Sequence, residues 1–155
     1  MLSDRLIQMI QDHAEDLMSG LIGKLKTHSR TPAYRRFSDA EIHDRVYTVY
    51  KELGAWMGGK PDEEIRGHYE ALGVRRFEEG TPLHELIYAV LLTKYHLLDF
   101  VRTRGLAGTA LEIYAEQELG SKINQFFDNA MYYAAKGYEM AAANAAVAGK
   151  ASGVR

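Results

Sequence analysis

An all-α fold follows from three features of the chain. Apolar residues recur at helical spacing along almost its whole length, no segment alternates apolar and polar residues with the period of a strand, and short breaks rich in Pro and Gly divide the pattern into helix-sized pieces. With 155 residues, 46% of them hydrophobic and 26% charged, the chain has material for one globular domain with a proper core. The spacing predicts about five main helices in residues 1–140, with an Ala-rich tail over 141–155.

The first helix is predicted over about residues 3–27, with Leu6, Ile10, His13, Leu17 and Leu21 as its stripe and Ser3 as its N-cap. Pro32 cannot continue a helix begun before it, so residues 28–37 form a break with a short turn. Ser38-Asp-Ala-Glu41 is a capping box and Phe37 with Ile42 a hydrophobic staple, which marks the next helix start. Its buried face is Val46, Val49, Tyr50, Leu53, Trp56 and Met57, and Gly58-Gly59 ends it. The third helix opens at Pro61, and Asp62, Glu63 and Glu64 complement the positive end of its dipole. Ile65, Tyr69, Leu72 and Arg76 share one of its faces, so an arginine stands on a line otherwise meant for the core. Thr81-Pro82 opens a fourth helix with Leu83, Ile87, Val90, Leu97 and Val101 on one side, widened by Leu86, Leu91 and Leu98. After a break near 105–109, the box Thr109-Ala-Leu-Glu112 starts a fifth helix with Ile123, Phe126, Phe127, Ala130, Tyr133, Ala134 and Tyr138 at core spacing. Nothing before the tail stops it.

A net charge of -2 and a pI near 6.3 give no global attraction to nucleic acid or anionic membrane. The absence of cysteine excludes disulfides, thiolate metal sites and cysteine nucleophiles. The amino terminus carries acids and amides inside its apolar pattern and is no signal peptide, and no apolar run reaches the length of a bilayer span. A cytoplasmic protein is expected.

Glycine-rich phosphate loops, zincin pairs and serine elbows are all lacking, so no enzyme is expected. The Glu-x-x-His pairs of a carboxylate-bridged di-metal bundle are missing too, because none of the six histidines has a glutamate three residues before it. Glu64 and His68 stand at i and i+4, a spacing that suits either a metal or an exposed ion pair. His13 lies on an apolar stripe, the place of a satisfied core histidine. Ten tyrosines are an excess. Tyr47, Tyr50, Tyr88 and Tyr95 either fill volume or line a ligand cavity. Arg75 and Arg76 have an ordinary role at the negative end of a helix, with Glu78 and Glu79 near enough to pair.

The pattern Tyr69-Glu-Ala-Leu-Gly73, Arg75-Arg76, Gly80-x-Pro82, an apolar helix with Leu-Ile-Tyr-Ala-Val, then Phe126-Phe127-Asp128, Tyr132-Tyr133 and Gly137-Tyr138-Glu139 resembles the amino-terminal domain of the RsbR-type stressosome co-antagonists over roughly residues 5–140. The resemblance implies a globin-like fold without haem, a homodimeric input module of bacterial stress signalling, and a last helix that leads into a STAS domain. Haem-binding globin-coupled sensors have a similar hinge, His-x-x-Ile-Gly, and laid on Arg76-Phe-Glu-Glu-Gly80 it puts Arg76 at the iron-ligand position. A guanidinium stays protonated and offers iron no lone pair, so no cofactor is expected. A true haem globin or small-molecule carrier is the alternative.

The expected partners are therefore a second copy of the chain, joined through the first and last helices, and a downstream STAS-domain protein or kinase. An arginine on a core face needs a counter-charge, for which Glu85 and Asp99 are candidates within the chain. Where neither reaches, a small ligand with an acidic head would bind Arg76, with its apolar part among Tyr69, Tyr88, Tyr95 and Tyr50.

Overall fold

The structure is a computed structural model that describes residues 2–103 and 110–153. Six α-helices and one 3-10 turn make up the described chain. They are α1 (Leu2–Asp12), α2 (Ala14–Thr27), the turn Pro32–Arg36, α3 (Asp39–Met57), α4 (Asp62–Glu78), α5 (Leu83–Thr103) and α6 (Ala110–Gly153). The described residues contain no strand. The side chains of Ser3, Leu6, Ala110, Leu111 and Glu112, together with residues 104–109, which hold the predicted break and Thr109, lie outside what is described.

The stripe over 3–27 is carried by two helices rather than one. His13 leaves helical geometry (φ -122°, ψ 21°), although its N–H still bonds Met9 O and its carbonyl still accepts from Leu17 N. A one-residue break of this kind leaves the apolar positions nearly in phase. It turns the chain so that α1 packs on α3 while α2 packs on α5. His13 itself is half-buried, with its ring edge-on to Phe100 at 5.6 Å.

The capping box at α3 forms as the sequence requires, with Glu41 N donating to Ser38 Oγ and Ser38 N donating to the Glu41 carboxylate. Schellman motifs close α3 and α4. Gly59 (φ 109°) and Gly80 (φ 79°) take the left-handed position, and Lys60 N bonds Ala55 O while Thr81 N bonds Arg76 O.

The longest helix, α6, packs along α4 and α5. Gly73 and Gly137 bring α4 and α6 into backbone contact: a Cβ on Gly73 would lie 2.0 Å from Ala134 O, and one on Gly137 would lie 2.0 Å from Glu70 O. Around this crossing Ile123, Phe126, Phe127, Ala130 and Ala134 of α6 are buried.

Leu53, Leu72, Leu97, Ile123 and Phe126 are buried as expected, whereas Trp56, Ile87 and Val90 are only half-buried. The reason lies in α5, whose inner face runs through Leu86, Ala89, Thr93, Leu97 and Val101. Thr93 takes a core position because its hydroxyl donates to Ala89 O at 2.8 Å. A count of apolar residues alone passes over such a position and rotates the predicted stripe.

Candidate functional site

Arg76 projects from the last turn of α4 into the core and is 6% exposed. Beside it, bordered by α2, the 3-10 turn, α3, α4, α5 and α6, lies a cavity of about 60 Å³. Its walls are mainly apolar, with Leu25, Ile42, Val46, Leu72, Leu86 and Phe127 among them, and its polar side chains are Arg76, Arg45, Tyr34, Tyr69 and Thr93.

Neither Glu85 nor Asp99 answers Arg76. Glu85 is buried and accepts from Ala33 N at 2.7 Å, which satisfies the start of the 3-10 turn. Asp99 pairs with Arg102, one helical turn away on the outer face of α5. The partner is Glu79, the C-cap of α4, at 3.3 Å and 3.5 Å from Arg76 Nη1. Glu79 is held more closely by Arg45, whose two terminal nitrogens reach its two oxygens at 3.2 Å and 2.9 Å. Two guanidinium groups thus share one carboxylate. The Arg76 pKa is lowered by burial first and by neighbouring Arg45 next, with Tyr34 and Glu79 acting against both.

Tyr34 lines the cavity beside Arg76, and burial raises its pKa despite the two neighbouring arginines. Tyr69 lines the cavity, is 1% exposed and has a buried hydroxyl without a hydrogen-bond partner. On the outer side of the same residues, a groove of about 270 Å³ between α3 and α4 is lined by Arg45, Val49, Leu72, Arg76 and Glu79 together with Asp44 and His68. The Arg45–Glu79–Arg76 cluster therefore stands between the cavity and the surface.

The other tyrosines are dispersed. Tyr50 is buried in the core with an unpartnered hydroxyl but is not part of the cavity wall. Tyr88 is half-buried and packs against His28, with ring centres 4.8 Å apart. Tyr95 is 52% exposed and borders a separate surface groove between α5 and α6. Tyr34 and Arg45 belong to the site as well. Tyr34 sits in the 3-10 turn and has no signal in the stripes, whereas Arg45, four residues before Val49 and eleven before Trp56, borders the apolar stripe of α3, and a count of apolar residues passes over it. Glu64 makes a long contact to Lys60 at 3.9 Å, and no group of three or more potential metal-binding side chains occurs among the described residues.

The cavity is tied to α6 through the hinge after α4. Tyr138 of α6 donates to Thr81 O at 2.6 Å and packs edge-on against Phe77 of α4 at 5.4 Å. Arg36 donates to Glu79 O at 2.7 Å and to Thr81 Oγ at 3.3 Å.

These features define an all-α domain with an arginine-bordered cavity beside one helix longer than the rest. A family model, the RsbT co-antagonist protein rsbRD N-terminal domain, matches residues 27–151. The chain belongs to that family, the N-terminal domains of stressosome co-antagonists. The match covers the 3-10 turn and every residue of the cavity except Leu25. Comparison with curated proteins and with solved structures gave no match.

Proposed function

We propose that this chain is a haemless globin-like input domain that works as a homodimer through protein contacts rather than catalysis, passing its signal along α6 to a STAS-domain protein or kinase. The membership supports a stressosome signalling role, and one observation on α6 carries the mode of action. The helix has 44 residues, about 66 Å at 1.5 Å per residue. From residue 143 to 150 every side chain is exposed. Exposed Tyr132, Met140 and Val147 fall on one side of it. Lys136, Met140, Ala143 and Val147 follow the four-three-four spacing of a coiled-coil seam. By contrast, the apolar residues of α2 are spent inside the bundle, where Leu17, Met18, Leu21 and Leu25 are buried.

A shift of α4 relative to α6 has a route outward through the Gly73–Gly137 crossing and the Tyr138–Thr81 bond. A signal would act by binding one arrangement of these helices better than another. The haem alternative draws no support from the geometry. None of the six histidines lines the cavity, and about 60 Å³ is less than the roughly 150 Å³ that accommodates a single benzene.

Light scattering at micromolar concentration tests the dimer. The wild-type mass should be twice that of the chain, and Met140→Asp with Val147→Asp should yield a folded monomer. A monomeric wild type sinks the relay along α6.

A further inference from the structure

We propose that the Arg76 cavity binds a short-chain monocarboxylate, and that Glu79 is the resident competitor the ligand displaces from Arg76. The inference deepens the reading of the chain as an input domain, by naming what its cavity takes.

Charge is the first ground. Arg76 is 6% exposed, yet its counter-ion is a carboxylate that Arg45 already holds through both oxygens at shorter distances. Two cations on one anion leave the cavity edge with a surplus positive charge, and a buried guanidinium is stable only when paired. A carboxylate matches the planar fork of an arginine, which grips two oxygens at once.

Size and lining set the rest of the ligand. The cavity volume of about 60 Å³ exceeds the roughly 10–15 Å³ one water needs and falls well short of the roughly 150 Å³ that holds benzene. A carboxylate with a tail of one to three carbons fits that range; a fatty acid or an aromatic acid does not. Beyond the arginines the walls are mainly Leu, Ile, Val, Ala and Phe side chains, with Tyr34, Tyr69 and Thr93 as the polar exceptions, a lining that favours a hydrocarbon tail over chloride or phosphate. Tyr69 on the cavity wall also has a buried hydroxyl without a hydrogen-bond partner, a state it shares with Tyr50 outside the cavity.

Glu79 also supplies the way in. It caps α4 at the surface, and the cluster it forms with Arg45 and Arg76 divides the cavity from the α3–α4 groove. A carboxylate entering along the groove takes the Glu79 position on Arg76, while Glu79 keeps its bidentate pair with Arg45. The exchange alters the contact between the α4 C-terminus and the hinge that Tyr138 holds.

Isothermal titration of the full chain with acetate, propionate and butyrate tests this, with sodium chloride and inorganic phosphate as controls and circular dichroism to verify folding. Propionate should bind saturably and the control anions should not. Arg76→Met, which keeps the stem and removes the charge, should abolish binding. Glu79→Gln should tighten it about tenfold and make the melting temperature of that variant rise more with propionate than the wild type's does. The proposal is overturned by no saturable binding to folded wild type, by undiminished binding to folded Arg76→Met, or by equal binding of chloride or phosphate. Weaker binding by Glu79→Gln overturns the competitor role, and if Arg76→Met fails to fold, Glu79→Gln alone decides. Loss of propionate binding with an intact dimer refutes this inference only, whereas a monomer that binds propionate refutes the α6 relay and leaves the site standing.

Discussion

His96 joins α5 to α2 through both of its ring nitrogens. Lys24 Nζ lies 2.9 Å from Nδ1 and Leu17 O lies 2.9 Å from Nε2. An ammonium can only donate and a carbonyl can only accept, so Nδ1 accepts, Nε2 carries the proton, and the ring is neutral. Burial first and Lys24 second push its pKa below the ordinary imidazole value, against the opposing pull of Leu17 O and Asp99. The unfolded ring titrates near about 6.5, so between the folded value and that point the unfolded chain binds more protons. The contribution of His96 to stability is therefore present above about pH 6.5 and is lost as pH falls through the folded pKa. Urea midpoints should drop on acidification, and His96→Gln should reduce the drop. The lowered pKa of His68 is common to both proteins, so the difference between them reports His96. An identical pH profile for the variant would refute the assignment.

At the scale of elements, the crossing of α4 and α6 decides how tightly the bundle closes. A Cβ at Gly137 would lie 2.0 Å from Glu70 O and 2.7 Å from Glu70 C, so the clash is with backbone and no side chain can move aside. Overpacking a core costs about 1–3 kcal/mol and occasionally more. Gly137→Ala should sit at or above the top of that range in urea denaturation even though alanine favours an isolated helix by roughly 1 kcal/mol. Gly67, on the same α4, has nothing within 4 Å of an added Cβ, and Gly67→Ala should be neutral or stabilising. Equal effects at the two positions would mean that the helices do not cross as described.

Across the whole molecule, α6 runs from the core to an exposed end, so folding and association are expected to be linked. Trp56 reports the core, because its ring packs against Phe126 of α6 at 5.7 Å. Fluorescence of Trp56 and far-ultraviolet circular dichroism should therefore give one coincident urea transition. Its midpoint should rise with protein concentration if the folded unit is a dimer. A midpoint independent of concentration would place the dimer outside the folding equilibrium.

The helices from α3 onward, the capping box and the stop at Gly58-Gly59 were legible because each depends on neighbours within one or two turns, where residue type fixes the backbone through caps, periodicity and allowed φ; the break at His13, which leaves the apolar stripe nearly in phase, was not. The anomaly of Arg76 was legible for the same reason: a cation at i+11 on an apolar line lies inside one helix. Membership in the co-antagonist family was legible as well, since its signature is a pattern of apolar and glycine positions. Only the tertiary structure decided that Glu79 and not Glu85 or Asp99 meets Arg76, that Arg45 and Tyr34 join it, and that Tyr88, Tyr95 and Tyr50 stand elsewhere. Those choices depend on how helices distant in sequence rotate against one another, and polar residues such as Thr93 and Glu85, satisfied by backbone partners, set that rotation while contributing nothing to an apolar stripe.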